Sequence, residues 1–301
     1  MHHHHIRQVF FVIVFLSFQL VQTNAQLDQK TNLPTIYINT FDGEDPWSRE
    51  IYQPAQLVIK STIPSEEINV ETEIRGRGNA TWGRPKKPYR LKLVESAQLL
   101  NNPAEAKKWV LLANDMDNTL IRNAVAFEIS RFTGMTFTPS TRFVDLVLNN
   151  RYVGNYMLTD HIDVREHRVP VEEQDTDVTN EPELTGGYLL EVDGWAPSAN
   201  KIWFRSTKNV PISIKYPNYK EINIPQYNYI LGFVNTFESK LFAKNFTDPI
   251  EGYRPYVDET SLVNWYIICE FSGNSDSFWS TFFINSVVKI GSISVLCGIS
   301  I

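Results

Sequence analysis

The chain has 301 residues, of which 43% are hydrophobic, 21% charged and 13% aromatic, a globular balance that excludes disordered, collagen-like and low-complexity readings. Asp and Glu number 34 against 28 Lys and Arg, a formal charge of -6, so the overall field argues against a nucleic-acid partner or an anionic membrane surface. Two cysteines, Cys269 and Cys297, are too few for a disulfide-stapled scaffold or a cysteine-rich zinc module.

Residues 10–21 form an apolar run preceded by Arg7 and followed by Thr23-Asn24-Ala25, the layout of a secretory signal peptide over 1–25 with cleavage after Ala25. The run is shorter than the roughly 18–20 residues a spanning helix needs. The expected location is therefore outside the cell, in the periplasm or at the cell surface, with no membrane span after cleavage. Beyond the signal only His161 and His167 remain, so a Ser-His-Asp triad or a His-rich metal centre would have to use one of them.

Residues 26–32 read as a short linker, and a single domain is expected over 33–284. Short β-branched runs at 35–38, 55–59, 69–74 and 89–93, separated by turn residues, predict strands. A helix is expected from Asn118 or Thr119 to Phe132, capped by Asp117 or Asn118 and followed by Gly134. At helical spacing Ile121, Ala124, Val125 and Phe132 form one stripe with Glu128 at its centre. A carboxylate on that face would need a cationic partner; a slight rotation of the helix would instead put Glu128 at the edge. Residues 143–148 and 152–158 predict a hairpin around Asn149-Asn150, which tolerates positive φ. The polar stretch 166–183 predicts an exposed loop, and 187–192 a strand. Helices follow at about 226–243 and about 259–271, the second capped by Asp258 and stopped by Gly273. Strands first and helices later predict an α+β fold, a sheet-rich lobe followed by a helix-rich one.

Three stretches suggest chemistry. Arg75-Gly76-Arg77-Gly78-Asn79, followed by Lys86-Lys87 and Arg90-Leu91-Lys92, is a basic island in an acidic chain. Glycines beside converging cations suit a polyphosphate; a solvated basic hairpin is the plainer reading. No Gly-Lys-Ser/Thr occurs there, so it is not a Walker loop. Asn114-Asp115-Met116-Asp117-Asn118 lacks the Gly and closing Glu of a calcium hand and reads as a helix cap. Asp276, in the loop after the last helix, is placed as a general base would be, or as an ordinary turn residue. Asn79-Ala80-Thr81 and Asn245-Phe246-Thr247 match glycosylation acceptors.

Taken in order, several stretches resemble the spore coat protein H (CotH) family of atypical protein kinases over roughly residues 34–284. They are Arg75 to Trp82, Lys86 to Leu93, Trp109 to Asn114 leading into Leu120-Ile121-Arg122-Asn123, Tyr152 to Tyr156, Gly186 to Glu191, and Asn274-Ser275-Asp276. The resemblance implies a two-lobed kinase-like fold that moves the γ-phosphoryl of ATP, with Mg²⁺, onto Ser or Thr of a protein substrate. Carried over by position, Arg75, Arg77, Gly78 and Asn79 lie near the phosphates. Lys92, or with less support Lys87, is the strand lysine that grips them, Glu128 is its helix partner, and Asp276 orients the acceptor hydroxyl.

Two departures stand out. Thr281 occupies the position where ordinary kinases carry a metal-binding Asn, and the family's Trp-Asp-x-Asp stretch is absent, Asp276 being the last acidic residue. No metal ligand is therefore assigned. Residues 285–301 lack any charge after Lys289 and any aromatic, and their permitted codons, read two bases later, allow Asn-Trp-Lys-Tyr-Phe-Gly-Pro-Val-Trp-Asp-Phe-Asp. The expectation is an incomplete domain with an aberrant apolar tail, truncated or frameshifted, and with impaired phosphoryl transfer. The competing reading is a non-catalytic cell-surface binding or adhesion module on the same fold. A carbohydrate-processing enzyme would need a carboxylate pair across a cleft, and no such pair is evident.

Overall fold

The computed structural model describes residues 28–286 and 292–295, apart from 200, 201, 275 and 278. The signal peptide and most of the expected tail lie outside the described residues. Seven strands close a barrel: β1 (Thr35–Thr40), β2 (Gln53–Lys60), β3 (Ile68–Gly76), β4 (Tyr89–Gln98), β5 (Glu105–Leu112), β6 (Thr141–Leu148) and β7 (Arg151–Asp160), in the order β1-β2-β3-β4-β5-β7-β6. Only the β1–β6 seam is parallel. Alternate residues point inward, as the pleat requires: Ile36 and Ile38, Leu57 and Ile59, Leu91 and Leu93, Trp109 and Leu111, and Leu146 and Leu148 make one core. Trp109 is fully buried and its indole N–H donates to the Ala106 carbonyl at 2.9 Å. The expected hairpin forms, with Asn149 and Asn150 at φ 48° and 61°, the two positive values its tight turn needs.

The expected helix is shorter than its pattern. Helix α1 spans Arg122–Phe132, because Leu120 adopts φ 62° and the Asp117 carboxylate turns back to accept from Thr119 N–H at 2.9 Å and Arg122 N–H at 2.8 Å. Its buried face is Asn123, Ala126, Phe127 and Ser130, packed on Met157 and Ile268. The stripe read from the sequence faces outward: Phe132 is 92% exposed, and Ile121 and Val125 are also exposed.

The remainder mixes helix with sheet more than a helix-rich lobe would. Strands β8 (Tyr188–Asp193), β9 (Trp203–Arg205), β10 (Pro211–Tyr216), β11 (Ser280–Ser286) and β12 (Ser292–Val295) form a second sheet in the order β12-β11-β8-β10-β9. After the helical turn α2 (Ala196–Ala199), helix α3 (Ile224–Leu241) packs Ile230 and Val234 against Tyr188, Leu190, Phe204 and Ile212. Asn223 and Gln226 give α3 a capping box. Helix α4 (Glu259–Ser272) starts where Asp258 accepts from Thr260 and Ser261 and stops at Gly273, φ 62°. The stretch 166–183 is not wholly exposed, since Arg168, Val169 and Val171 are buried. No helix among the described residues is long and apolar enough to cross a membrane.

Candidate functional site

The outer face of the barrel meets the second sheet across a cleft of about 580 Å³, within the size range of ligand pockets. Arg77, Arg90 and Lys108 line it from the barrel, His161 and Asp163 from the segment after β7, and Glu191 and Lys215 from the second sheet.

Register explains how cations collect there. β3, β4 and β5 place Arg75 opposite Arg90 and Lys92 opposite Lys108. Like charges directly opposite one another are destabilising in a sheet, and none of Arg75, Arg77, Arg90 or Lys108 has a carboxylate at ion-pair distance among the described residues. The Nε atoms of Arg75, Arg77 and Arg90 are buried without a hydrogen-bond partner. Burial, reinforced by Arg90, pulls the Arg77 guanidinium down to about 10. Burial and then Arg75 lower Arg90, with Tyr52 and Asp163 opposing. His161 is held well below its usual value by burial and then by Arg90, Lys108, Arg168 and Arg77, so its imidazole is neutral at neutral pH.

The turn after β3 aims Arg77. Its N–H donates to the Pro88 carbonyl at 3.1 Å, and Trp82 packs so closely on Gly76 that a Cβ there would meet the ring at 2.3 Å. Gly78 has φ +81°, and a Cβ would lie 2.0 Å from Thr81 Oγ1. Glycine is required at both positions, for close approach at one and backbone geometry at the other.

The carboxylates around the cleft are committed elsewhere. Arg168, fully buried, donates to Asp160 at 3.0 Å, Asp163 at 2.8 Å and the Lys108 carbonyl at 2.8 Å, and its guanidinium lies 4.9 Å from the Trp109 ring centre. Burial raises the Asp160 carboxyl despite the Ser140 N–H and Arg168, which hold it down. Glu191 pairs with Lys215 at 2.7 Å and accepts from Ser280 at 2.8 Å. Glu221, exposed, lines the cleft without an ion pair among the described residues.

The model of the CotH kinase protein family matches residues 74–287, more than half of the chain. The chain belongs to the CotH kinase protein family. No curated protein matches it. The CotH match runs from the end of β3 through β11, and with them takes in both walls of the cleft.

Of the residues carried over from that resemblance, Arg77 lines the cleft and Arg75 stands beside it, 4.7 Å from the Tyr52 ring centre. Gly78 and Asn79 shape the turn: Arg49 donates to the Gly78 carbonyl at 2.9 Å and Asn79 Oδ1 at 3.0 Å. Lys92 does not reach Glu128. The register sets Lys92 opposite Glu73, and its Nζ lies 2.6 Å from that carboxylate. Glu128 is exposed on the outer side of α1 and pairs with Arg131 one turn on, so the expected inward carboxylate is corrected to a surface i,i+3 pair. Lys87 holds the Trp82 turn, its Nζ 4.7 Å from the ring centre and donating to the Trp82 carbonyl at 2.8 Å. Asp276 is exposed; its carbonyl accepts from Trp279 and Ser280 N–H at 2.9 and 3.0 Å, tying its loop to a residue that lines the cleft.

Lys108 and Lys215 were not anticipated, and Arg90, part of the basic island, and His161, one of the two remaining histidines, were given no role. Arg90 had a signal: it alternates with Lys92 on the same outward face of one strand.

The family suggests ATP and Mg²⁺. The cation cluster fits a polyphosphate, since unpartnered guanidinium groups are strong donors to phosphate oxygens. The described residues do not fit Mg²⁺. No group of three His, Cys, Asp or Glu could hold a metal among them, and Asp160, Asp163 and Glu191 already neutralise cations.

Proposed function

We propose that this CotH-family chain is an exported ATP-dependent protein kinase that transfers the γ-phosphoryl to Ser or Thr of a protein substrate. The reading takes the barrel and the second sheet as the two lobes of a kinase-like fold, with the nucleotide in the cleft between them. The observation that carries it is the set of cations without carboxylate partners, Arg75, Arg77, Arg90 and Lys108, three of them with buried and unpartnered Nε atoms.

Such a set acts on charge. Guanidinium groups fixed around the phosphates hold the transferred group in position and oppose the charge that develops on its oxygens, which is where most phosphoryl-transfer catalysis originates. His161, neutral in the empty cleft, is a ring N–H donor available to the same anion. Asp276 is the residue assigned to orient the acceptor hydroxyl: its carboxylate takes the hydroxyl proton as the oxygen bonds to the γ-phosphorus, while the bond from that phosphorus to the bridging oxygen breaks and ADP leaves.

The test is incorporation of labelled phosphate from ATP into a mixed Ser/Thr protein substrate by the purified full chain. Arg90→Ala should reduce incorporation by about a hundredfold, the scale of losing one positioned charge donor, and Asp276→Asn should reduce it further without weakening ATP binding. Incorporation indifferent to Arg90→Ala would overturn the assignment of the cleft. A second reading, a nucleotide-binding module without transfer, is favoured by the carboxylates already paired around the cleft. It predicts ATP binding with no incorporation and indifference to Asp276→Asn.

A further inference from the structure

The cleft presents an unusual balance. Its cations outnumber what its carboxylates can neutralise, and those carboxylates are the groups a divalent ion would need. Mg²⁺ at phosphate sites normally takes one or two protein carboxylates along with the phosphate oxygens and water. Asp160 and Asp163 hold Arg168, which is itself enclosed against Trp109; withdrawing either would leave a buried guanidinium short of charge. Glu191 holds Lys215 and the Ser280 hydroxyl. Of the carboxylates that line the cleft among the described residues, only the exposed Glu221 stands outside such a pair. Facing them are Arg77, Arg90 and Lys108, with Arg75 opposite Arg90 in the sheet.

We propose that the cleft binds its triphosphate as the metal-free anion, Arg77, Arg90 and Lys108 supplying the charge neutralisation that a divalent ion provides elsewhere. This rests on the phosphate-site reading above and goes beyond it by fixing the form of the ligand. Arg77 and Arg90 line the cleft without a carboxylate partner and each with an Nε that donates to nothing, and an uncomplexed triphosphate brings the most acceptor oxygens and the most charge to their guanidinium groups. A divalent ion bridging the phosphates cancels part of that charge, occupies some of the oxygens and adds repulsion toward the guanidinium groups, so Mg²⁺ competes with the site. The ligand class is a nucleoside triphosphate or a linear polyphosphate; recognition falls on the phosphates.

The experiment is isothermal titration of the full chain with ATP, and separately with inorganic tripolyphosphate, in EDTA and again in excess MgCl₂ at matched ionic strength. Both ligands should bind in EDTA, and Mg²⁺ should weaken each by at least about tenfold. Arg90→Ala should cost at least about tenfold in EDTA while retaining cooperative urea unfolding. Arg77→Met is the second variant, carrying the same expectation should Arg90→Ala not fold. Binding that requires Mg²⁺, or is tightened by it, overturns the metal-free proposal and leaves the phosphate site standing; loss of that gain in Glu221→Gln would put the metal at that carboxylate. Absence of binding in both buffers overturns the phosphate site along with the proposal. Binding in EDTA unaffected by both arginine variants places the anion elsewhere and overturns it as well.

Discussion

Replacing Arg77 by Met should make the empty protein more stable. The guanidinium is half-buried by area with its Nε enclosed and unpartnered, and burial together with Arg90 pulls it down to about 10. Below that pH both folded and unfolded chains carry the charge, so at neutral pH the fold bears the full cost of keeping it. The difference from the ordinary arginine value corresponds to about 3 kcal/mol. Because part of the side chain still meets water and Met returns most of the packing of the stem, the expected gain is about 1–3 kcal/mol. Urea unfolding should show a higher midpoint at unchanged slope, and heating should show a rise of about 2–4 °C per kcal/mol. Saturating tripolyphosphate should reverse the order, since the ligand stabilises only a fold that binds it. The gap between the two chains should also narrow as pH climbs above about 10, because the folded wild type releases this proton before the unfolded one does, while the buried tyrosines titrate alike in both. A variant less stable than wild type by more than about 1 kcal/mol would show that Arg77 has a protein partner, and the charge argument would fail.

Three further outcomes follow from the same contacts. Arg168→Met leaves Asp160 buried without its counter-charge and Asp163 without its donor, and should cost about 3–5 kcal/mol in urea unfolding; a cost below about 1 kcal/mol would mean that water already reaches the network. The His161 ring, faced by Arg77, Arg90, Lys108 and Arg168 with the Asp160 and Asp163 carboxylates nearby, should titrate below the ordinary histidine value by NMR and shift upward when tripolyphosphate binds. Because the unfolded chain takes up that proton first, its contribution is complete above about pH 6.5 and is lost as pH falls through the lower folded value; a ring titrating at or above the ordinary value in the empty protein would contradict the cluster. Glu128→Gln removes only a surface pair with Arg131, so stability should stay within about 0.5 kcal/mol and polyphosphate affinity should not change; a loss of affinity would restore Glu128 to the site.

Strand alternation made much of the barrel legible, because most inward residues of β1 to β4 are apolar, with Thr40, Gln53 and Thr72 the buried exceptions, and the Asn149-Asn150 turn carries its own chemistry. The same logic failed on α1. There the buried face includes Asn123, which donates to Asn114 Oδ1 at 2.9 Å, and Ser130, which shares a hydrogen bond with Thr138 at 2.5 Å. Those partners come from the preceding loop and from the segment after the helix, so a scale that ranks polar residues as exposed turns the helix the wrong way and draws Glu128 inward. Lys92 failed for a different reason. Arg90 and Lys92 share one face of one strand, and what separates them is the residue opposite on β3, Arg75 for one and Glu73 for the other. Cross-strand register is a pairing of distant segments, and a shift of one residue would exchange their surroundings. Strands β9 to β11 and the burial of Arg168 depend likewise on contacts made across the fold.

The cleft also reverses the sign of the chain around it. The sequence carries a formal charge of -6, yet the register of β3, β4 and β5 brings Arg75 against Arg90 and Lys92 against Lys108. Glu73 neutralises Lys92, which leaves the uncompensated charge on Arg75, Arg77, Arg90 and Lys108. Low-dielectric walls concentrate the field of such a group, so an anion is drawn past an acidic exterior to one place. Glu73 thus has a role of its own: by taking Lys92, it limits how far the positive field extends along β4. Moving that boundary, with Glu73→Gln, would spread the positive face along β4 without changing the arginines, and should weaken discrimination between a compact triphosphate and a longer polyphosphate more than it changes the affinity for either.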